Sequence, residues 1–145
     1  MSAFNGMNIS SSGMSAQRLR MDLISQNIAN VNTTRDENGN PYRRKAAVFA
    51  EKGSSPFQEV FMRTAGVTGS GVKVTQIVED DKSAMRKVYD PSHPDSDEEG
   101  YVTYPNVNIV QEMTDLISAT RSYEANVTAF NATKNMALKG LDVGK

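Results

Sequence analysis

Residues 108–140 read NIVQEMTDLISATRSYEANVTAFNATKNMALKG and carry the clearest structural signal in the chain. Positions here alternate in steps of four and three, the heptad spacing of a helix that packs lengthwise on another helix. They are Ile109, Met113, Leu116, Thr120, Tyr123, Val127, Phe130, Lys134, Ala137 and Leu141. Asn108 suits the N-cap with Gln111 as its capping-box partner, and Gly140 suits the position that ends a helix. About 31 residues rising about 1.5 Å each predict a helix about 46 Å long.

A second apolar stripe lies beside the first on the same predicted helix. It consists of Val110, Ile117 and Leu138. One stripe can pack on another helix of the same chain, whereas two stripes need a further surface, most economically another subunit. The pattern therefore favours a protein that assembles.

The N-terminal part of the chain predicts another helix, within about Ser10 to Val31. Its apolar residues recur at three- and four-residue steps, at Ala16, Leu19, Leu23, Ile24, Ile28 and Val31. Any of the serines at 10–12 suits the N-cap. Asn27 and Asn30 fall on the arc of the apolar residues, and a polar group in a packing seam costs free energy unless it is paired. We expect both to hydrogen-bond across a helix interface, within or between subunits, and Asn32 to end the helix.

The middle of the chain, about residues 33–105, holds all five prolines and most of the glycines. Short segments rich in β-branched residues predict strands at 45–50, 72–78 and 85–89, and residues 101–103 are placed to pair back as a hairpin. The predicted fold is therefore mainly α. Two long terminal helices pair as an antiparallel coiled-coil-like hairpin, and a small irregular β-containing segment lies between them. The expected parts are 1–34, 35–105 and 106–145.

Composition removes several classes of function. The net charge of −1 and the pI of about 5.8 give no electrostatic reason to expect nucleic acid. The chain has no cysteine, which excludes disulfides and cysteine-ligated metal sites. No basic segment precedes an apolar core at the N-terminus, and no run has the length of a membrane span, so we expect neither a cleaved signal peptide nor membrane insertion.

An acidic segment, residues 90–100, is the best candidate for chemistry. It reads DPSHPDSDEEG and contains the one histidine, His93. The spacing from Asp95 resembles the start of an EF-hand loop, but the twelfth position is Asn106 and not a bidentate glutamate. A solvated hairpin loop is the favoured interpretation, with no metal, cofactor or catalytic residue. The short basic run at 43–45 is either plain surface or a rim contact for a partner.

Three motifs together resemble one protein family. SQNIANVNT (residues 25–33) resembles the signature of the flagellar rod, hook and hook-associated axial proteins, in which Asn-Ile-Ala-Asn followed by Asn/Thr closes the N-terminal helix. SATRSYEANVTAFNATKNMALKGLDVG (residues 118–144) resembles their C-terminal helix. VYDPSHPDSDEEGYVTYPNVNIVQEM (residues 88–113) is similar to the junction before that helix in proximal rod members. The chain departs from the family in carrying a longer turn before Tyr42.

The resemblance implies an architecture and a role. The terminal helices would form the inner layer of a tube in the flagellar basal body, in the cell envelope and periplasmic space, with the middle segment outside. The tube would transmit torque and line an export channel. Partners would be copies of the chain, other rod proteins and the flagellar export apparatus, which would account for a missing leader. The implied protein is structural and not an enzyme.

We expect the assembly interface to lie on both terminal helices. The residues are Leu23, Asn27, Ile28, Asn30, Val31, Met113, Leu116, Ile117, Tyr123, Asn126, Val127, Phe130 and Leu138. A soluble adaptor or chaperone-like binding module, built on a free-standing helical hairpin, is the alternative from another class. An enzyme is the third, and it would require Asp90, His93 and Asp97 to converge on a pocket.

Overall fold

The structure is a computed structural model that describes residues 3–53 and 70–143 of the chain. Its elements are α1 (Ala3–Ala29), β1 (Lys45–Glu51), β2 (Val72–Glu79), β3 (Arg86–Tyr89), β4 (Tyr101–Tyr104) and α2 (Ile109–Val143). The end of α1 contacts the start of α2, so the two helices lie antiparallel. The predicted fold class is confirmed. The two long terminal helices pair with each other, and the segment between them forms two antiparallel two-stranded sheets.

The first helix is longer than its sequence predicts. It begins at Ala3 and not near Ser10, and the serines at 10–12 lie inside it, so the predicted N-caps are wrong. Glycine, serine and asparagine are poor helix formers, and tertiary packing overrides such local preference. Here Gly6 lies against Thr133 of α2. The helix ends at Ala29, ahead of the predicted end at Asn32.

The second helix begins as predicted and ends later. Asn108 Oδ1 accepts the N–H groups of Val110 (3.0 Å) and Gln111 (3.4 Å), which confirms it as the N-cap. The Gln111 side chain donates instead to Asp115 (3.4 Å), so the reciprocal capping box is wrong. Gly140 does not end the helix, which continues to Val143.

β1 and β2 form a ribbon that packs on α1. They pair antiparallel from Lys45 opposite Glu79 to Glu51 opposite Val72, with a bulge between residues 48 and 49. Two side chains of α1 hold the ribbon to the helix. Ser12 Oγ accepts the N–H of Val72 at 3.1 Å, and Asn27 bonds the backbone of Lys45. The ribbon is therefore fixed at both of its ends.

β3 and β4 form the predicted hairpin. Arg86 lies opposite Tyr104 and Tyr89 opposite Tyr101, and the Tyr89 and Tyr101 rings meet edge to face at 5.3 Å. Gly100, just before β4, has φ near +81°, and a Cβ there would lie 3.0 Å from the Tyr89 ring. Only glycine fits this conformation and close approach without strain.

Candidate assembly interface

Small and polar residues form the contact between α1 and α2 near the N-terminal end of α1. A Cβ built on Gly6 would lie 3.4 Å from Thr133, and one built on Gly13 would lie 2.7 Å from Asn126 Oδ1. Moving seven residues along α1 therefore moves seven residues back along α2. Glycine at both positions lets the helix backbones approach closely.

The same register continues to the other end of the pair. Asn27 faces Glu112, and the intervening seam residue Ala119 is completely buried. On α2 the inward positions are therefore 112, 119, 126 and 133, a strict heptad built without a large aliphatic side chain. Part of the predicted apolar stripe, including Leu116 and Phe130, is half-buried beside this seam.

Asn27 is completely buried, and its side-chain amide makes four hydrogen bonds. Its Nδ2 donates to Glu112 Oε2 (3.0 Å) and to the carbonyl of Lys45 (2.9 Å). Its Oδ1 accepts the hydroxyl of Tyr42 (2.9 Å) and the N–H of Lys45 (2.9 Å). Two donors and two acceptors are all that an asparagine amide offers. The predicted bond across a helix interface is confirmed for Asn27.

Glu112 completes this buried polar cluster. Its side chain is fully buried, and its Oε1 accepts Arg44 Nε at 2.6 Å while Oε2 accepts Asn27. Arg44 also reaches Asp115 (3.7 Å), which pairs with Arg20 of α1 (3.3 Å). A buried carboxylate is tolerated where it is paired and hydrogen-bonded, as here. Charge and hydrogen bonds thus join α1, α2 and the start of β1.

The surroundings of Tyr42, next to this cluster, shift its pKa. Burial raises the pKa of its hydroxyl above the ordinary value of 10.0, and the negative charges of Glu112 and Glu79 act in the same direction. The hydroxyl remains the donor that Asn27 Oδ1 requires at neutral pH.

Several large apolar residues of α2 are exposed. Met113 and Ile117 are each 55% exposed and Leu138 is 51% exposed. These three belong to the predicted assembly interface, and each is open to a partner. Ile109 and Val110 extend the same exposed surface at the start of α2.

The other predicted interface residues lie further inside. Leu23 and Asn27 are buried within the chain, and the remainder are half-buried: Ile28, Asn30, Val31, Leu116, Tyr123, Asn126, Val127 and Phe130. Asn30, which directly follows α1, donates to the Gln26 carbonyl and accepts from Thr33, so it makes no bond across the helix pair within the chain. That part of the asparagine prediction is wrong inside the chain. The assembly role of the set stays a prediction.

Sequence reasoning missed Arg44 and the buried role of Glu112. Glu112 is not among the predicted interface residues, and the basic run at 43–45 is interpreted from sequence as plain surface or a rim contact. The seven-residue spacing of Glu112, Ala119, Asn126 and Thr133 was the available signal, but apolar periodicity conceals a seam made of small and polar residues.

The acidic segment of residues 90–100 uses its carboxylates to shape turns. Asp90 Oδ1 accepts from Ser92, and Asp97 Oδ1 accepts from Glu99 and Tyr101. The Ser92 hydroxyl and N–H lower the pKa of Asp90. Asp95 accepts from Thr34 and pairs with Arg35, both just beyond α1.

In residues 3–53 and 70–143 no acidic or histidine side chains group as metal ligands do. Neither described helix is long and apolar enough to cross a membrane.

Comparison with known proteins agrees with this architecture. A family model described as flagella basal body rod protein matches residues 7–35, and one described as flagellar basal body rod FlgEFG protein C-terminal matches residues 98–143. These segments include most of α1 and all of α2.

Relatives match along the whole chain. The flagellar basal-body rod protein FlgC of Bacillus subtilis is 51% identical over 152 residues, covering 100% of both chains. That of Borreliella burgdorferi is 46% identical, covering 99% of this chain and 98% of its own. That of Salmonella typhimurium is 37% identical, covering 100% of both. The chain therefore belongs to the FlgC family of flagellar basal-body rod proteins, which are structural proteins and not enzymes.

Proposed function

We propose that this structural rod subunit polymerises through its terminal helices into a helical tube that transmits torque and lines an export channel. The observation that carries the proposal is the distribution of side chains on α2. Small and polar residues face α1, whereas Met113, Ile117 and Leu138 stay exposed. Exposed large apolar residues on a helix mark a surface that a partner covers.

The buried polar cluster supports a mechanical role. Asn27, Glu112 and Arg44 join both helices to the start of β1 through bonds of 2.6–3.0 Å. A load applied to the middle segment would therefore pass directly into the helix pair. Many modest interfaces, repeated around an axis, would make such a tube stiff without any catalytic group.

The predicted interface serves this function in two ways. Residues 1–34 and 106–145 would form the inner tube, and residues 35–105 would lie outside it. The exposed residues Met113, Ile117 and Leu138 would contact neighbours directly. The buried Leu23 and Asn27 would hold the surface that neighbours meet.

The family suggests the partners and location. Relatives are named as flagellar basal-body rod proteins, so we infer assembly with copies of this chain and with other rod components. We infer likewise that the chain lies in the rod, within the cell envelope and periplasmic space. It would reach that place through the flagellar export apparatus.

The test is complementation of a strain that lacks this protein. Ile117→Lys places a charge in the exposed apolar surface, and we expect loss of rods and of swimming with no loss of monomer helicity. Val88→Lys is the matched control, because Val88 is an exposed apolar residue of the middle segment, at 39%. Full swimming with Ile117→Lys, or equal loss with both variants, would contradict the proposal.

A further inference from the structure

Two of the methionines in the described part of the chain are exposed, and both lie on α2. Met113 is 55% exposed and Met136 is 65% exposed. The other methionines in residues 3–53 and 70–143 are half-buried: Met7, Met14, Met21 and Met85. Because the chain has no cysteine, methionine thioethers are its only sulfur groups. An oxidant in solution therefore reaches Met113 and Met136 ahead of the half-buried methionines.

Met113 lies within an exposed apolar patch at the start of α2. Ile109 and Ile117, four residues before and after it, are 44% and 55% exposed, and Val110 is 74% exposed. At about 100° per residue these four side chains span about 100° of the helix circumference, and Met113 falls inside that arc. The patch is part of the surface through which the proposed function has neighbours make contact.

Met136 has different surroundings on the same helix. Its neighbours one turn away are small or polar, with Ala132 on one side and Lys139 and Gly140 on the other. At about 100° per residue it lies about 140° around the helix from Met113. Met136 is therefore a similarly exposed thioether outside the apolar patch, and it provides an internal reference for Met113.

Oxidation makes the Met113 side chain polar. The thioether sulfur gives an electron pair to one oxygen of hydrogen peroxide, the O–O bond breaks as the S–O bond forms, and the second oxygen leaves as water. Water solvates the sulfoxide on a free subunit, whereas a neighbour that covers the apolar patch removes that water. Burying a polar group without a hydrogen-bond partner costs free energy. The cost therefore falls on assembly and not on the fold of the subunit.

We propose that Met113 is an oxidation-sensitive site whose sulfoxide blocks assembly through the apolar patch of α2 and whose reduction restores it. The proposal rests on the assembly function above and describes how that surface is regulated. The free subunit is the sensitive form, because a neighbour on the patch excludes the oxidant. A methionine sulfoxide reductase reverses the change: its two thiols become a disulfide, the sulfoxide becomes a thioether, and the oxygen leaves as water.

Mass mapping of the purified chain after treatment with hydrogen peroxide tests the chemical step. Met113 and Met136 should each gain one oxygen about fivefold faster than the half-buried Met14 and Met21. The circular dichroism spectrum should stay unchanged over the same period. Oxidation of Met113 at the rate of Met14, or loss of helicity together with it, would overturn the proposal.

Two substitutions test the effect of polarity on assembly in a strain that lacks this protein. Met113→Gln imitates the sulfoxide and should lower the number of rods about tenfold. Met113→Leu keeps the apolar volume and should restore normal numbers. Met136→Gln is the matched control and should also restore normal numbers. Equal numbers with Met113→Gln and Met113→Leu, or an equal loss with Met136→Gln, would overturn the proposal.

A brief pulse of hydrogen peroxide on growing cells tests the regulation itself. Cells that carry Met113→Leu should build about threefold more new rods during the pulse than wild-type cells do, because leucine has no sulfur to oxidise. Cells that carry Met136→Leu should match the wild type. Deleting the sulfoxide reductases should delay recovery in wild-type cells but not in Met113→Leu cells. Equal sensitivity of wild-type and Met113→Leu cells would overturn the proposal.

These outcomes differ from those that would overturn the assembly function. An untreated wild-type chain that restores no rods, or an Ile117→Lys variant that swims fully, counts against assembly through this surface. If Ile117→Lys abolishes rods while Met113→Gln assembles normally, the assembly function stands and the oxidation site does not.

Discussion

At the end of the helix pair near residue 27, a buried carboxylate, a guanidinium and an amide join three elements by bonds of 2.6–3.0 Å. At the end near residue 6, glycines bring the helices together against Thr133 and Asn126, and no ion pair joins them there among the described residues. Both ends share one seven-residue register, but different interactions maintain it. Polar bonding selects the register at one end, and close backbone approach permits it at the other.

The difference shows how a chain with modest apolar content can specify a pairing and still keep apolar residues for partners. Asn27 and Glu112 are hydrogen-bonded to each other in the interior. A shift in the register of the two helices would therefore leave buried polar groups without partners. The large side chains Met113 and Ile117 are then not needed inside and remain exposed. Breaking each end in turn should therefore have unequal effects.

The largest effect is expected at the polar end. Asn27→Ala removes four hydrogen bonds and leaves Glu112 and the Lys45 backbone short of partners. We expect the free energy of unfolding to fall by about 4 kcal/mol, since each buried group left unpaired costs about 1–3 kcal/mol. Urea denaturation followed by circular dichroism measures it.

Asn30→Ala is the control for this comparison. The Asn30 side chain bonds only Gln26 and Thr33 of the adjoining turn, so its loss should cost less than about 1 kcal/mol. Equal losses for Asn27→Ala and Asn30→Ala would show that the polar cluster does not hold this end.

A smaller loss is expected at the glycine end. Gly13→Leu adds side-chain atoms where Asn126 Oδ1 already lies 2.7 Å from the position of a Cβ. Overpacking of this kind costs about 1–3 kcal/mol, partly offset by the better helix propensity of leucine. We expect a net loss of about 2 kcal/mol, recovered in part by Asn126→Ala in the same chain. A stable Gly13→Leu variant would mean that the helices need not approach closely here.

A third glycine should respond in the opposite direction. Gly140 lies inside α2, and no atom lies within 4 Å of the place where its Cβ would be. Gly140→Ala should therefore raise helix stability by about 0.5–1 kcal/mol, because alanine is the better helix former. Thermal melting of the monomer, with Gly13→Ala measured beside it, would show whether the difference comes from contact or from propensity.

The smallest effect concerns alkaline pH. Folding raises the Tyr42 pKa above its unfolded value near 10.0, so the neutral phenol favours the folded state. This contribution is fully present below about pH 10 and is lost as pH rises through the folded pKa. Tyr42→Phe should lessen the fall in stability above pH 10, measured by urea titrations across that range. An unchanged alkaline profile in Tyr42→Phe would assign the fall to other groups.

Sequence reasoning located the strands, the β3–β4 hairpin, the Asn108 cap and the antiparallel helix pair, because each has a local signature. It placed Asn27 in a seam, since a polar residue on an apolar arc needs a partner. It could not identify Arg44 as the ion-pair partner of Glu112, because these two residues are far apart in the sequence and only folding brings them together. It also misjudged the start of α1, since the residues at 3–12 favour helix only when α2 lies against them.

The two attachments of the β1–β2 ribbon work as a gauge of length. From Ser12 to Asn27 the helix rises about 22 Å at about 1.5 Å per residue. The paired stretch of β1 from Lys45 to Glu51 extends about 20 Å at about 3.4 Å per residue. The two spans are commensurate, so adding or removing even a pair of residues between the attachments would detach one end. The distance between the two attachment points on the helix therefore sets the length of the ribbon between them.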